Sequence, residues 1–119
     1  MSTIKVNAFQ DTSGKGFYPA RAWANINGAG TVSIRGDAGV SSITDNAVGK
    51  YTVSLDNTMS NVNYAPNIST AEDSYYAIVA GLGNAGHLAS FSTSSYRVQS
   101  VFSSTFYDVD YIMTAVHGE

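Results

Sequence analysis

Cysteine is absent from this chain. Neither disulfides nor thiolate metal sites can hold the fold, and the redox compartment is left open. Charge is scarce as well. Asp, Glu, Lys and Arg make up 13% of the 119 residues, against an ordinary share of about 25%. The net charge is −3, and the three lysines and three arginines are scattered along the chain. Such a set makes no basic patch, which argues against a nucleic-acid partner. No apolar run approaches the length of a membrane-crossing helix. The start, MSTIKVNAF, has no apolar core of the kind a secretory signal carries, so synthesis in a cytoplasm without signal-directed export is the expectation.

Ser, Thr, Asn and Gly take the place of the missing charge. Uncharged polar groups cost less to desolvate than ions, so this surface suits subunit contacts and carbohydrate contacts alike. At this length the chain reads as one domain, able to bury roughly two-thirds of its unfolded surface.

Apolar and polar residues alternate with period two, and no helical period stands out. Residues 1–19 read as an N-terminal arm, with Ile4, Val6 and Ala8 alternating against Lys5 and Asn7 before a turn at Asp11–Gly16. Its roles are a swapped or edge strand, or attachment to a neighbouring subunit. Residues 20–119 form the β domain. Ala20, Ala22, Ala24 and Ile26 share one strand face, with Arg21, Trp23 and Asn25 on the other. Asn27-Gly28 is a hairpin signal, because primed turns need positive φ. A returning strand at Thr31–Arg35 and a turn at Gly36–Gly39 follow. Val40–Asn46 and Tyr51–Asp56 make a second hairpin around Ala47–Lys50, with Tyr51, Val53 and Leu55 alternating as in a half-buried strand. Later strands are expected at Asn61–Ile68 (an edge strand or strand end, given Pro66), Tyr75–Ala80, Gly86–Ser92, Tyr96–Val101 and Tyr107–Val116. In the last of these Val109, Tyr111, Met113 and Ala115 share a face. Ser69–Tyr76 is the one segment with any helical character. The sum is an all-β antiparallel sandwich or jelly-roll-like fold of about eight or nine short strands.

Gly81-Leu82-Gly83-Asn84-Ala85-Gly86 matches G-x-G-x-x-G after a credible strand. A dinucleotide site needs a helix next to receive the pyrophosphate, and the following HLASFSTSSYRVQ has no helical period. The glycines read better as a loop between strands. His87 and His117 lack the clustered third ligand a metal requires, and no G-x-S-x-G accompanies the serines. Asp108 and Asp110, two apart, would share a face of a strand and could serve acid–base chemistry or a cation, though such pairs are ordinary on β edges. Tyr18, Tyr51, Tyr64, Tyr75, Tyr76, Tyr96, Tyr107 and Tyr111 with Trp23 suit cross-strand packing more than sugar stacking. Of the adjacent Tyr75 and Tyr76, one must face outward. Arg21, Arg35 and Arg97 lie within strand patterns, where they bridge subunits or sit on a solvated face.

RAWANINGAGTVSI, followed by VSSITDNAVGKYTVSL and MSNVNYA, resembles a β module found at the C-terminal end of tail fibre and tail-spike-like proteins of tailed bacteriophages. The opening STIKVNAFQDTSGKG is similar to the lead-in of stand-alone cyanophage versions. The likeness runs over Ser2–Pro66, loosens in Asn67–Thr93 and partly returns in SYRVQS and Tyr107–Gly118. It implies a virion-associated, trimeric β protein without catalytic residues, cofactor or metal. The expected task is adhesion to host-surface glycan, as a tail fibre or tail appendage component bound to other virion proteins. Gly81, Gly83, Asn84, Gly86, His87 and Tyr76 form the candidate adhesion loop. A capsid decoration protein is the alternative within that class, and a small polysaccharide-acting enzyme using the Asp108–Asp110 pair is the alternative outside it.

Overall fold

The computed structural model describes residues 2–5, 9–16, 20–71, 79–82 and 92–118. The described residues form an all-β fold with no helix, nine strands in two antiparallel sheets.

β1 (Ala22–Asn27), β2 (Ser33–Ala38), β5 (Ala65–Ala71) and β9 (Tyr111–His117) make one sheet in the order β2-β1-β9-β5. The second sheet is β3 (Val40–Ala47), β4 (Lys50–Leu55), β7 (Ser95–Phe102) and β6 (Val79–Leu82) in the order β3-β4-β7-β6, with β8 (Thr105–Phe106) paired to β7. Chain neighbours β1–β2, β3–β4 and β7–β8 are hairpins. β9 closes the first sheet by inserting between β1 and β5.

The alternation explains which faces meet. Ala22, Ala24 and Ile26 of β1, Tyr51, Val53 and Leu55 of β4, Tyr96 and Val98 of β7, and Ile112 and Val116 of β9 are all buried in one core. Both early hairpins form, but the first turns differently from the primed Asn27-Gly28 turn expected: residues 28–32 connect the strands, the positive φ falls at Gly30, and the returning strand is Ser33–Ala38 in place of Thr31–Arg35. Between Asn27 and Ser33 the Asn27 side-chain oxygen accepts from Ala29 N–H, and Gly28 N–H donates to Val109 C=O. At the second turn Gly49 has φ +67°, and a Cβ there would stand 2.8 Å from the Ser100 and Tyr107 backbone.

Gly39 is the hinge of the sandwich. It is the only residue between β2, in one sheet, and β3, in the other. Its φ is +73°, and a Cβ would lie 2.7 Å from the Arg21 carbonyl oxygen. The expected turn at Gly36–Gly39 therefore shrinks to one residue, with Gly36–Ala38 still in the ladder.

Three other expectations shift. Ser69–Ala71 completes β5 instead of opening a helix, because pairing to Met113, Ile112 and Tyr111 outweighs a weak local preference. Ser103 and Ser104 make a two-residue turn that adds β8, which polar composition alone reads as loop. β9 starts only at Tyr111, and its buried residues are Ile112, Thr114 and Val116. The face expected to hold Val109, Tyr111, Met113 and Ala115 is, from Tyr111 on, the outward one, while Val109 is buried from the preceding connection. Pro66 does lie on the edge strand, where its missing N–H is tolerated.

The described parts of the arm, Ser2–Lys5 and Gln10–Gly16, are exposed throughout. A Gln10–Gly16 bridge closes a small turn.

Candidate functional site: an uncharged outer sheet face

Inward residues of β1, β9 and β5 leave the alternate ones facing out. In register, Ala38, Trp23, Ala115 and Asn67 form one row across the four strands, and Gly36, Asn25, Met113 and Ser69 the next. No side chain in either row carries charge. A shallow groove of about 440 Å³ runs here, lined by Trp23, Asn25, Asn67, Ser69, Met113 and Ala115 among others. Trp23 is 46% exposed. The edge of its indole lies beside Gly36, where a Cβ would stand in ordinary contact 3.5 Å from the ring. The Asn25 side-chain oxygen is shielded from solvent and has no hydrogen-bond partner.

The other sheet presents an ordinary solvated face. There Lys50 pairs with Gln99, and Thr52 with Arg97, and Asn46 donates to the Thr52 hydroxyl. Among the described residues, only the face around Trp23 lacks charge.

One end of the uncharged face is built by Arg35 and Tyr111. Arg35 Nη1 donates to the Asp110 carbonyl at 2.6 Å, and its guanidinium stacks 4.1 Å from the Tyr111 ring centre. Arg35 thus bridges within the chain. Arg21 and Arg97 are exposed. His117 is half-buried at the end of β9, on the same parity as Ala115.

The paired carboxylates take a different place from the one their spacing implied. Asp108 and Asp110 belong to the connection before β9 and share no strand face. Asp108 Oδ1 accepts from Gly49 N–H at 2.8 Å and lies 2.9 Å from the Tyr51 hydroxyl. That hydroxyl is also 2.9 Å from the Gly28 carbonyl, so its single proton serves two acceptors. Asp108 therefore ties the β3–β4 turn and the core tyrosine to the last connection. Neither carboxylate lines the groove. Among the described residues no His, Asp and Glu cluster could hold a metal ion.

Buried tyrosines stitch the two sheets. The Tyr96 hydroxyl of β7 meets Thr114 Oγ1 of β9 at 2.8 Å. Tyr64 packs edge-on to Tyr96 at 6.2 Å, and its hydroxyl reaches the Ser92 and Ser95 carbonyls. Burial holds the Tyr51 and Tyr64 hydroxyls above the ordinary tyrosine value, with Asp108 adding to the effect at Tyr51. It pushes Tyr96 up to about 12. These rings are packing residues, Tyr51 and Tyr96 from strands and Tyr64 from just before β5.

Gly81 lies in β6, paired to Gln99. The rest of the candidate loop, Gly83, Asn84, Gly86, His87 and Tyr76, lies outside the described residues, as do Tyr18, Tyr75 and Gly86–Phe91 of the expected strand. Among the described residues, β6 pairs with β7.

No family model, curated protein or solved structure matches the chain.

The outer face was half legible. Alternation separates Trp23 and Asn25 from the core side, and a lone tryptophan on the polar side of a strand is a signal in its own right. That Asn67, Ser69, Met113 and Ala115 join them depends on β9 pairing with both β1 and β5, contacts spanning tens of residues.

Proposed function

We propose that this chain is a non-catalytic adhesion module of a bacteriophage virion, part of a tail fibre or tail appendage, that holds neutral host-surface glycan on the outer face of β1, β9 and β5. The observation that carries the reading is the exposed Trp23 at the centre of an uncharged sheet face. An indole offers a broad apolar plane for the C–H face of a sugar. The Asn25, Asn67 and Ser69 side chains around it bring the donors and acceptors that hydroxyl groups need. A neutral ligand loses nothing by meeting a face without ions. Tail placement rests on the sequence resemblance.

Size favours a glycan over a protein. Two rows across four strands span roughly 15 by 10 Å, with strands about 4.8 Å apart and alternate residues about 7 Å apart. A stable protein interface takes about 800 Å² from each partner. A capsid decoration role would need more contact area than this face supplies.

A glycan array, followed by calorimetric titration of the best neutral oligosaccharide, tests the reading. Trp23→Ala is expected to weaken binding at least tenfold while leaving the unfolding midpoint nearly unchanged. Wild-type affinity in that variant would remove this face as the binding surface. Immunogold labelling of particles separates tail from capsid placement.

A further inference from the structure

We infer that the sugar held on the uncharged face carries an acetamido group, gripped across β9 by Asn25 and Ser69; this rests on the reading of that face as a glycan site. The Asn25 oxygen is the reason. Asn25 lies on β1, with Gly36 of β2 on one side and Met113 of β9 on the other, and it lines the groove. Its Oδ1 is shielded from solvent and has no hydrogen-bond partner. Neither cross-strand neighbour brings a side-chain donor, since glycine has no side chain and methionine only a thioether. A shielded acceptor left unpaired costs the fold stability. The terminal torsion of asparagine is broad, so turning the amide brings the oxygen into the groove, where a ligand N–H can meet it.

The two rows of the face divide such a ligand between them. In one row Ala115 stands between Trp23 and Asn67. Its small side chain leaves a seat beside the indole, where the pyranose stacks. In the next row Met113 stands between Asn25 and Ser69. The rows are about 7 Å apart along the strands, and a pyranose with an acetamido group on its ring reaches from one to the other.

β9 separates β1 from β5, so Asn25 and Ser69 stand about 10 Å apart. A trans amide lying across β9 points its N–H and C=O to opposite sides, as a peptide group does in a sheet. With a hydrogen bond of about 2.9 Å at each end, it bridges most of that gap. The N–H donates to Asn25 Oδ1, and the exposed Ser69 hydroxyl donates to the C=O. The acetyl methyl rests on Met113, whose unbranched thioether adapts to it. A plain hydroxyl in the same place reaches one wall only. A charged ring substituent finds no counter-ion, because none of these six side chains is charged.

A glycan array of matched neutral pairs tests this, with oligomers of N-acetylglucosamine against glucose and of N-acetylgalactosamine against galactose. Calorimetric titration then follows the tightest pair. The wild-type chain should bind the acetylated member about tenfold or more tightly. Asn25→Leu keeps the side-chain size and removes the acceptor. It should erase the preference, keep the weaker affinity for the plain sugar, and raise the urea midpoint. Ser69→Ala, on an exposed position of an edge strand, should reduce the preference with the midpoint unchanged. Equal wild-type affinity for both members, or tighter binding of the plain sugar, would overturn the inference and leave the glycan reading in place. Binding of no pair at all would overturn both. A preference that survives Asn25→Leu would also sink the inference. So would a lower midpoint in that variant, since the oxygen would then be satisfied within the fold.

Discussion

Tyr96 and Thr114 show how much one hydroxyl pair carries. Both are buried, and they link β7 to β9 across the sandwich. Tyr96→Phe removes one partner and strands the Thr114 hydroxyl in the core. An unsatisfied buried polar group costs about 1–3 kcal/mol, so urea unfolding should show a loss in that range. Removing both hydroxyls together, in Tyr96→Phe with Thr114→Val, should return part of it. A double variant as unstable as the sum of the singles would show that the two hydroxyls act independently. Asp108 is a comparable case. Spacing alone made it half of a carboxylate pair, whereas its contacts with Gly49 and Tyr51 make it a clamp on a turn.

At the level of elements, the β7–β8 hairpin is made with unfavourable residues. Ser103 and Ser104 both have positive φ, 49° and 68°, the conformation of a primed two-residue turn that Asn-Gly adopts with less strain. Replacing Ser103-Ser104 with Asn-Gly should raise stability by about 1 kcal/mol, read as a higher urea midpoint with an unchanged slope. A fall in midpoint would mean the serine side chains hold the turn through contacts of their own. The other hairpins need no such correction, since Gly30 and Gly49 already stand where φ is positive. This is why those turns were readable in the residues and the serine turn was not.

The whole molecule should be sensitive to alkali. Tyr51, Tyr64 and Tyr96 are buried, and each holds its proton more tightly folded than unfolded. An unfolded tyrosine ionises near pH 10, while Tyr96 keeps its proton to about 12. Between those values the native state binds more protons than the unfolded one, so stability falls as pH rises. The contribution is fully present below pH 10. Above it, each tyrosine still protonated only in the native state subtracts about 1.4 kcal/mol per pH unit. Thermal unfolding followed from pH 8 to 11.5 should give a flat midpoint to about pH 10 and a steep drop beyond. A midpoint level through pH 11.5 would contradict this account of the core.

Sequence by itself determined the class of fold, the two early hairpins, the core faces of β1 and β4, and the edge character of the strand with Pro66. These follow from side-chain alternation and from turn residues that act over four or five positions. Tertiary structure alone decided what sequence-distant strands build. β9 runs between β1 and β5, and that insertion sets the start of the strand at Tyr111, turns Met113 and Ala115 outward and joins them to Trp23 and Asn67. The same long-range pairing drew Asp108 out of a supposed strand face and into the core's hydrogen bonds. A period-two pattern says which residues share a side of a strand. It does not say which strand lies next, and the uncharged face exists only because those neighbours met.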